Sequence, residues 1–330
     1  MFVVTGAAGR LGNVLVRMLR ETYPQVPVRA LALPGESTAA LDGVECEIRR
    51  CDIRDLPCLT DCFQGARAVF HVAGFISLMP DEHHLLESIN VQGTANVIAA
   101  CRANKVHRLV YTASAHALEE PEDERLMTEA QPFSPERAMG LYGKSKAKAA
   151  QLVLQAADDD LEAVIVCPTG ILGPLDHQPS HQGRMLIDSA RRALHIGVNG
   201  AYDFVDVRDV AQGHILAYER GRSGEYYVLS GERISIPEIM RLSRQLANRG
   251  QSISITLAGW FARWVGRITP YYYRLTRTKP AFTSESVDIV FGNSYFSNRK
   301  ARTDLGYAPR PIFESIRDSI AWFEHHGYMR

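Results

Sequence analysis

The chain has 330 residues, 46% of them hydrophobic, and its 37 Lys plus Arg balance 37 Asp plus Glu, so the formal net charge is zero. That length suggests about two domains, or one large α/β unit with an appended piece, with ample material for a core. Balanced charge argues against a dedicated polyanion binder such as a nucleic-acid protein, and no run of about 18 apolar residues offers a transmembrane helix.

The chain enters a strand at once, Met1-Phe2-Val3-Val4-Thr5-Gly6. No cationic stretch, apolar signal core or cleavage site precedes it, so no secretory address is expected. The six cysteines (Cys46, Cys51, Cys58, Cys62, Cys101, Cys167) are scattered. They suit a reduced cytoplasmic compartment better than a disulfide framework. Apolar, β-rich runs fall at 2–5, 28–33, 46–49, 68–72, 109–112 and 163–166, with helical patterns between them at 11–22, 56–63, 82–104 and 141–157. Such alternation predicts a doubly wound, Rossmann-type parallel sheet covered on both faces, with ligands at the carboxyl ends of its strands. After Pro168 the pattern loosens to a strand at 225–229 and helices at 183–194, 209–220, 236–247 and 312–324. The expected organisation is an α/β domain over 1–170, with later returns near 204–230. A smaller, mainly helical substrate lobe takes 171–203 and 231–330.

Thr5-Gly6-Ala7-Ala8-Gly9-Arg10-Leu11-Gly12 joins the first strand to the first helix. Gly6 permits the tight turn, Gly9 lets backbone approach a pyrophosphate, and Gly12 lets helix and strand pack closely, while the helix N-terminus presents N–H groups to the phosphates. The residue that usually reads the adenosine ribose, about 20 positions beyond the last glycine, is Ala32, followed by Leu33. No carboxylate stands there to repel a 2′-phosphate, and Arg10 offers charge near the adenosine phosphate. NADP(H) is therefore slightly favoured over NAD(H).

Tyr142 and Lys146 stand four apart on a helical pattern and so share one face. A phenol with a reference pKa of about 10 is a poor base at neutral pH. A neighbouring ammonium lowers that barrier, so the pair suits proton exchange with a carbonyl or an alcohol. Lys144 and Lys148 point elsewhere on the helix and read as surface residues. At the end of the strand 109–112, Ser114 and Thr112 are the candidate hydroxyls; His116 is either a substrate contact or a partly exposed loop histidine. Asn90, between apolar neighbours, is either structural or a support of the site. Cys58 and Cys62, four apart, read as buried small hydrophobes, and no metal set stands out. The segment 260–278 mixes Trp260, Phe261, Trp264 and Tyr271–Tyr273 with four arginines. It fits an aromatic lid, plain packing or a peripheral membrane contact.

The G-x-x-G-x-x-G spacing with Thr5, together with Tyr142-Gly143-Lys144-Ser145-Lys146, resembles the extended branch of the short-chain dehydrogenase/reductase superfamily. Cys51-Asp52-Ile53, His71-Val72-Ala73-Gly74 and Asn90-Val91-Gln92-Gly93-Thr94-Ala95-Asn96-Val97 fit the same branch. Cys167-Pro168-Thr169-Gly170-Ile171-Leu172-Gly173-Pro174 resembles the dihydroflavonol 4-reductase and 3β-hydroxysteroid dehydrogenase-like group within it. So do Phe204-Val205-Asp206-Val207-Arg208-Asp209 and Leu305-Gly306-Tyr307. The resemblance implies catalytic Ser114, Tyr142 and Lys146. It implies cofactor contacts from Thr5, Gly6, Gly9, Arg10, Leu11, Gly12, Asp52 (at adenine), Ile53, Val72, Ala73, Gly74, Tyr142, Lys146 (at the nicotinamide ribose), Pro168 and Thr169. Substrate contacts would come from His116 and Gly170. A homodimer built on the helices at 82–104 and 141–157 is also implied. The expected reaction interconverts a ketone and a secondary alcohol on a small, largely apolar molecule. Two alternatives stand beside it: a nucleotide-sugar epimerase or dehydratase with tightly held NAD, and a dinucleotide sensor without catalysis. Nucleotide-sugar enzymes often carry Asn where this chain has Gly170.

Overall fold

The computed structural model describes residues 1–77, 80–121, 126–250, 253–257 and 290–329, with positions 259, 260, 264, 265, 269 and 288. In chain order the first half gives β1 (Phe2–Thr5), α1 (Arg10–Thr22), β2 (Val28–Ala32), β3 (Glu47–Arg50), α2 (Leu56–Cys62), β4 (Ala68–His71) and α3 (His83–Leu86). A π-helical segment (Glu87–Gln92) then runs into α4 (Gly93–Ala103), followed by β5 (Arg108–Thr112), α5 (Gly140–Ala156) and β6 (Glu162–Pro168). The second half gives β7 (Gly170–Leu172), α6 (His181–Arg191), β8 (Leu194–Val198), β9 (Ala201–Asp206), α7 (Val207–Arg220), β10 (Tyr226–Leu229), β11 (Glu232–Ser235), α8 (Ile236–Leu246), β12 (Ile253–Leu257) and α9 (Ile312–His325).

Seven strands form one parallel sheet in the order β10-β6-β5-β4-β1-β2-β3. Its central strands are apolar on both faces because helices cover both. Val3, Val69, Leu109 and Tyr111 face α4 and α5, where Val97, Ala100, Ala147, Ala150 and Val153 complete one core. Phe2, Val4, Phe70 and Val110 face α1 and α7, where Leu15, Leu19, Val210 and Ile215 complete the other. Burying each such Val, Leu, Ile or Phe side chain contributes about 1.5–3 kcal/mol. The alternation along β1 sends Val3 one way and Phe2 and Val4 the other, as a period of two requires.

A third core joins α6, α8 and α9 through Leu186, Ile187, Ile239, Ile316 and Phe323, and includes Leu172 and Phe204. Here the structure adds strands that the sequence reading does not contain. β7, β9 and β11 form a three-stranded sheet and β8 pairs with β12. The helix expected to reach Leu194 stops at Arg191, with Arg192 N–H closing the last turn on the Asp188 carbonyl, and Leu194 opens β8. β8, β9 and β11 mix polar with apolar residues (His195, Asp203, Arg233) and so lack the continuous apolar run that marks β1, β4 and β6. The helix expected over 82–104 is interrupted by the π segment. Apart from Trp260, Trp264, Val265 and Thr269, the aromatic and basic segment 260–278 lies outside the described residues; Trp260 and Trp264 are exposed. Among the described residues, no helix is long and apolar enough to cross a membrane.

Candidate active site

The glycine turn lies where β1 hands the chain to α1. Gly6 sits at φ +65°, a left-handed conformation that favours glycine, and a Cβ there would lie 2.7 Å from Ala73 Cα. A Cβ on Gly12 would run into the Gly6 carbonyl oxygen, so α1 can approach β1 only with glycine there. Gly9 caps α1 in an extended conformation, with no side-chain cap and no acidic residue in the first turn. Leu11 follows, buried in the core beneath the turn. A side-chain-free corner over an uncapped, acid-free helix start fits a pyrophosphate, so the residues present suit a dinucleotide.

Thr5 Oγ1 accepts from Ala73 N–H at 3.1 Å and meets His71 Nδ1 at 2.8 Å, tying the end of β1 to the end of β4. Thr94 Oγ1 donates to the Asn90 carbonyl at 2.6 Å, so His71 Nε2, 3.0 Å away, carries the proton given to Thr94. His71 Nδ1 is then left to accept from Thr5. Burial pushes the His71 pKa down to about 3, which keeps the ring neutral in that tautomer. Val72, Ala73 and Gly74 follow as a partly open edge. Asp52 is clasped by Arg54, whose hydrogen bonds hold its carboxyl below the usual carboxylate range. Ile53 packs on Gly93, and its carbonyl accepts from Asn96 Nδ2 at 3.1 Å. Arg10 does not present its guanidinium to an adenosine phosphate as expected. It reaches the carbonyls of Ile171 and Gly173 and Ser180 Oγ at 2.9–3.0 Å, with Asp176 3.7 Å away, and so fastens α1 to the chain after β7.

The second half of the site lies at the end of β5. Lys146 Nζ is buried, donates to the Thr112 carbonyl and stands 4.5 Å from the Tyr111 ring centroid. The Thr112 hydroxyl is 2.7 Å from His214 Nε2, and His214 Nδ1 is 2.8 Å from the Val210 carbonyl. That carbonyl can only accept, so Nδ1 carries the proton and Nε2 takes the one from Thr112. Thr112 is thereby committed away from a substrate, which leaves Ser114. Ser114 Oγ accepts from His116 N–H at 3.2 Å, and the hydroxyl stands near enough to the Tyr142 phenol to draw its pKa down. Gly143 lets α5 approach, because a Cβ there would meet the His116 carbonyl. Asn90, in the π segment, donates to Ser145 Oγ at 3.0 Å, and Ser145 Oγ donates to the Tyr142 carbonyl at 2.8 Å. Asn90 thus steadies the turn of α5 that carries Tyr142; π-helical turns often mark functional sites.

Burial governs the electrostatics. It pushes the Tyr142 pKa up to about 12, against a smaller lowering from Ser114, and the Lys146 pKa down to about 7. His116 and His214 are both lowered to about 4 by burial and are neutral. Tyr142 is therefore a protonated phenol in the protein alone, the form that donates a proton to a carbonyl oxygen.

His116 Nε2 contacts the Tyr202 hydroxyl at 2.5 Å, and with Leu118, Met127, Met139 and Phe296 it lines a small recess beside Ser114. Tyr202 was not foreseen, because it lies on β9. Pro168 ends β6 opposite Leu229. The Thr169 hydroxyl donates to buried Asp203 at 2.6 Å, where burial raises the carboxyl pKa to about 6. Gly170 lies against Phe204, whose ring would stand 2.7 Å from an added Cβ. His71, Thr94, Asn96 and His214 were also missed. Thr94 and Asn96 belong to the motif starting at Asn90, but no spacing rule links either histidine to a partner so distant in sequence.

This geometry is accompanied by likeness over the whole chain. Residues 2–230 match the model of the NAD dependent epimerase/dehydratase family. A protein of Synechocystis sp. named "Putative dihydroflavonol 4-reductase" is 31% identical, covering 100% of this chain and 96% of its own length. Sterol demethylase protein B of Methylococcus capsulatus is 30% identical, covering 98% of each. The crystal structure of gox2253 aligns with a TM-score of 0.85 at 32% identity, over 100% of this chain and 99% of that one. The chain belongs to the NAD dependent epimerase/dehydratase family, among the extended short-chain dehydrogenases/reductases, and is similar to dihydroflavonol 4-reductase-like members of it. It is an enzyme of the nicotinamide-dependent oxidoreductase type.

Proposed function

We propose that the enzyme interconverts a ketone and a secondary alcohol on a small, largely apolar molecule. What supports this reading is Lys146 Nζ on the Thr112 carbonyl at the end of β5, Tyr142 one turn before it on α5 and beside Ser114, and the competing hydroxyl of Thr112 tied to His214. Nicotinamide supplies the hydride chemistry when bound. Gly6, Gly9 and Gly12 admit the pyrophosphate to α1, and Asp52 and Ile53 border the adenine. Ser114 Oγ holds the substrate oxygen, and Tyr142, protonated by virtue of its burial, gives its proton to that oxygen during reduction. Lys146 sits one helical turn away, where an ammonium favours the phenolate left behind.

Residues 171–203 and 231–330 form the substrate lobe in this reading. The recess at His116, Leu118, Met127, Met139 and Phe296, apolar but for Glu120 and Asn293 in its wall, supports an apolar substrate over a nucleotide-sugar. So does Gly170, since an Asn there would press into the Phe204 ring. For the cofactor we favour NADP(H): β2 ends without an acidic residue, and the exposed Arg50 guanidinium lies against the Leu33 carbonyl at 3.0 Å. The proposed assembly is a homodimer through α3, α4 and α5, and light scattering reading a monomer would refute it. The function is tested by offering ketones, alcohols and nucleotide-sugars with each cofactor and following nicotinamide absorbance. Turnover confined to nucleotide-sugars, or undiminished in Ser114→Ala and Tyr142→Phe, would overturn the proposal.

A further inference from the structure

We infer that Cys51 and Cys58 form a reversible thiol–disulfide site at the adenine end of the cofactor cleft, and that closing it tightens the hold on the cofactor. The sequence reading treats Cys58 and Cys62 as small hydrophobes. In the fold Cys51 follows β3 directly, Cys58 and Cys62 stand on consecutive turns of α2, and the three sulfurs gather within 4.8 Å of one another. The Cys51 and Cys58 sulfurs are in contact, and their Cα atoms are 6.0 Å apart, a separation that a disulfide spans. Cys51 and Cys62 are buried, whereas Cys58 is half-buried and gives a reagent its entry. Cys101 and Cys167 are buried elsewhere in the sheet core and stay apart from this cluster.

The sulfur pair is tied through the backbone to the residues that border the adenine. A Cys51–Cys58 bond closes a ring over residues 51–58, and that ring contains Asp52 and Ile53. Asn96 Nδ2 holds one side of it through the carbonyls of Ile53 and Arg54, at 3.1 and 3.0 Å. The sulfur pair holds the other side. Closing the ring removes conformational freedom that binding would otherwise have to remove, so the oxidised form binds more tightly. A disulfide in an intracellular setting is more often a transient redox device than a structural staple.

The chemistry needs a small-molecule disulfide as oxidant. The Cys58 thiolate attacks one of its sulfurs, forming a mixed disulfide and releasing one thiol. The Cys51 thiolate then attacks Cys58 Sγ, forming the protein bond and releasing the second thiol. The protein loses two electrons and two protons, and the oxidant's S–S bond becomes two thiols.

The coupling rests on the reading of Asp52 and Ile53 as the adenine border; the thiol chemistry does not. The test uses the full chain incubated with oxidised or reduced glutathione, alkylated and digested with trypsin. Cleavage after Arg50, Arg54 and Arg67 separates 51–54 from 55–67. The expected product is these two peptides joined and two hydrogens lighter than their sum, separable by dithiothreitol, retained in Cys62→Ser and absent in Cys58→Ser. Free, alkylated Cys51 and Cys58 after oxidant, or a link surviving Cys58→Ser, would overturn the site. Cofactor affinity should be several-fold higher in the oxidised form. Saturating cofactor should shift the glutathione ratio for half-oxidation by the same factor, because coupling is reciprocal; a tenfold factor corresponds to about 30 mV. Equal affinities overturn the coupling. A link that forms in a protein binding no cofactor in either state counts against the cofactor cleft itself.

Discussion

The glycine corner and the catalytic rim occupy carboxyl ends of the same sheet, yet they are built by opposite means. The corner is made by omission: at Gly6 and Gly12 even one carbon would strike backbone, and α1 starts with neither a side-chain cap nor a carboxylate. The rim is made by commitment. Thr5, His71 and Thr94, like Thr112 and His214, spend their polar atoms on one another, and Lys146 is held on the Thr112 carbonyl, so that Ser114 and Tyr142 are the groups left to meet a substrate. An error in the corner is therefore steric and registers in binding, while an error in the rim is electrostatic and registers in turnover.

Tyr142→Phe is the strongest way to break that contrast. Removing the proton donor should lower kcat by about 10²–10⁴-fold, with cofactor affinity unchanged by fluorescence titration. A comparable loss of affinity would mean that the rim shapes the cofactor site as the corner does. Gly12→Ala is the converse. Overpacking against the Gly6 carbonyl should cost about 1–3 kcal/mol of stability, read as a lower Tm, and should weaken cofactor binding. At saturating cofactor most of kcat should return. A Gly12→Ala variant with full affinity and little turnover would erase the distinction.

The rim also carries a stability cost, which Lys146→Met exposes. Burial lowers the Lys146 pKa from 10.5 to about 7, so the folded state disfavours the ammonium. The unfolded chain keeps that proton up to its ordinary pKa, and stability therefore rises with pH between the two values. Below pH 7 the cost is fully present; above about 10.5 it has gone. Lys146→Met should accordingly raise Tm most at pH 6, with the gain shrinking through pH 7–10.5, while activity is lost. A gain that does not vary with pH would point to packing rather than charge.

The same contrast explains what could be read in advance. The corner is local: Gly6, Gly9 and Gly12 follow a strand and open a helix, and that order is visible in sequence. Tyr142 and Lys146 are local too, one helical turn apart. What chooses Ser114 over Thr112 is not local, because His214 reaches Thr112 from α7 across 102 positions. The positions of Cys51, Cys58 and Cys62 are plain in the sequence, but they converge only once β3 and α2 have packed. The strands β8, β9 and β11 are as long as those of the main sheet but set polar residues (His195, Asp203, Arg233) among apolar ones, and so lack the continuous apolar run that marks β1, β4 and β6. Arg10 was misjudged because its neighbours in space, Ile171, Gly173, Ser180 and Asp176, all come from beyond the sheet's sixth strand.

The smallest effect, and the sharpest probe of where the corner ends, is cofactor choice at Arg50. Its guanidinium is exposed, donates to the carbonyls of Leu33 and Glu36, and stands 3.4 Å from Thr38 Oγ1. The nearby Glu36 carboxylate, which accepts from the Leu33 amide at 2.9 Å, works against Arg50 and keeps the net preference small. An exposed cation facing a 2′-phosphate is worth about 0.2–1 kcal/mol, so Arg50→Ala should raise KM for NADPH by a few-fold and leave KM for NADH unchanged. Added salt should shrink the wild-type difference between the cofactors and leave the variant indifferent, because screening acts on exposed charge. Equal losses with both cofactors would show that Arg50 only braces the loop after β2. Preference at the adenosine would then follow the corner's rule, in which backbone shape decides and charge does not.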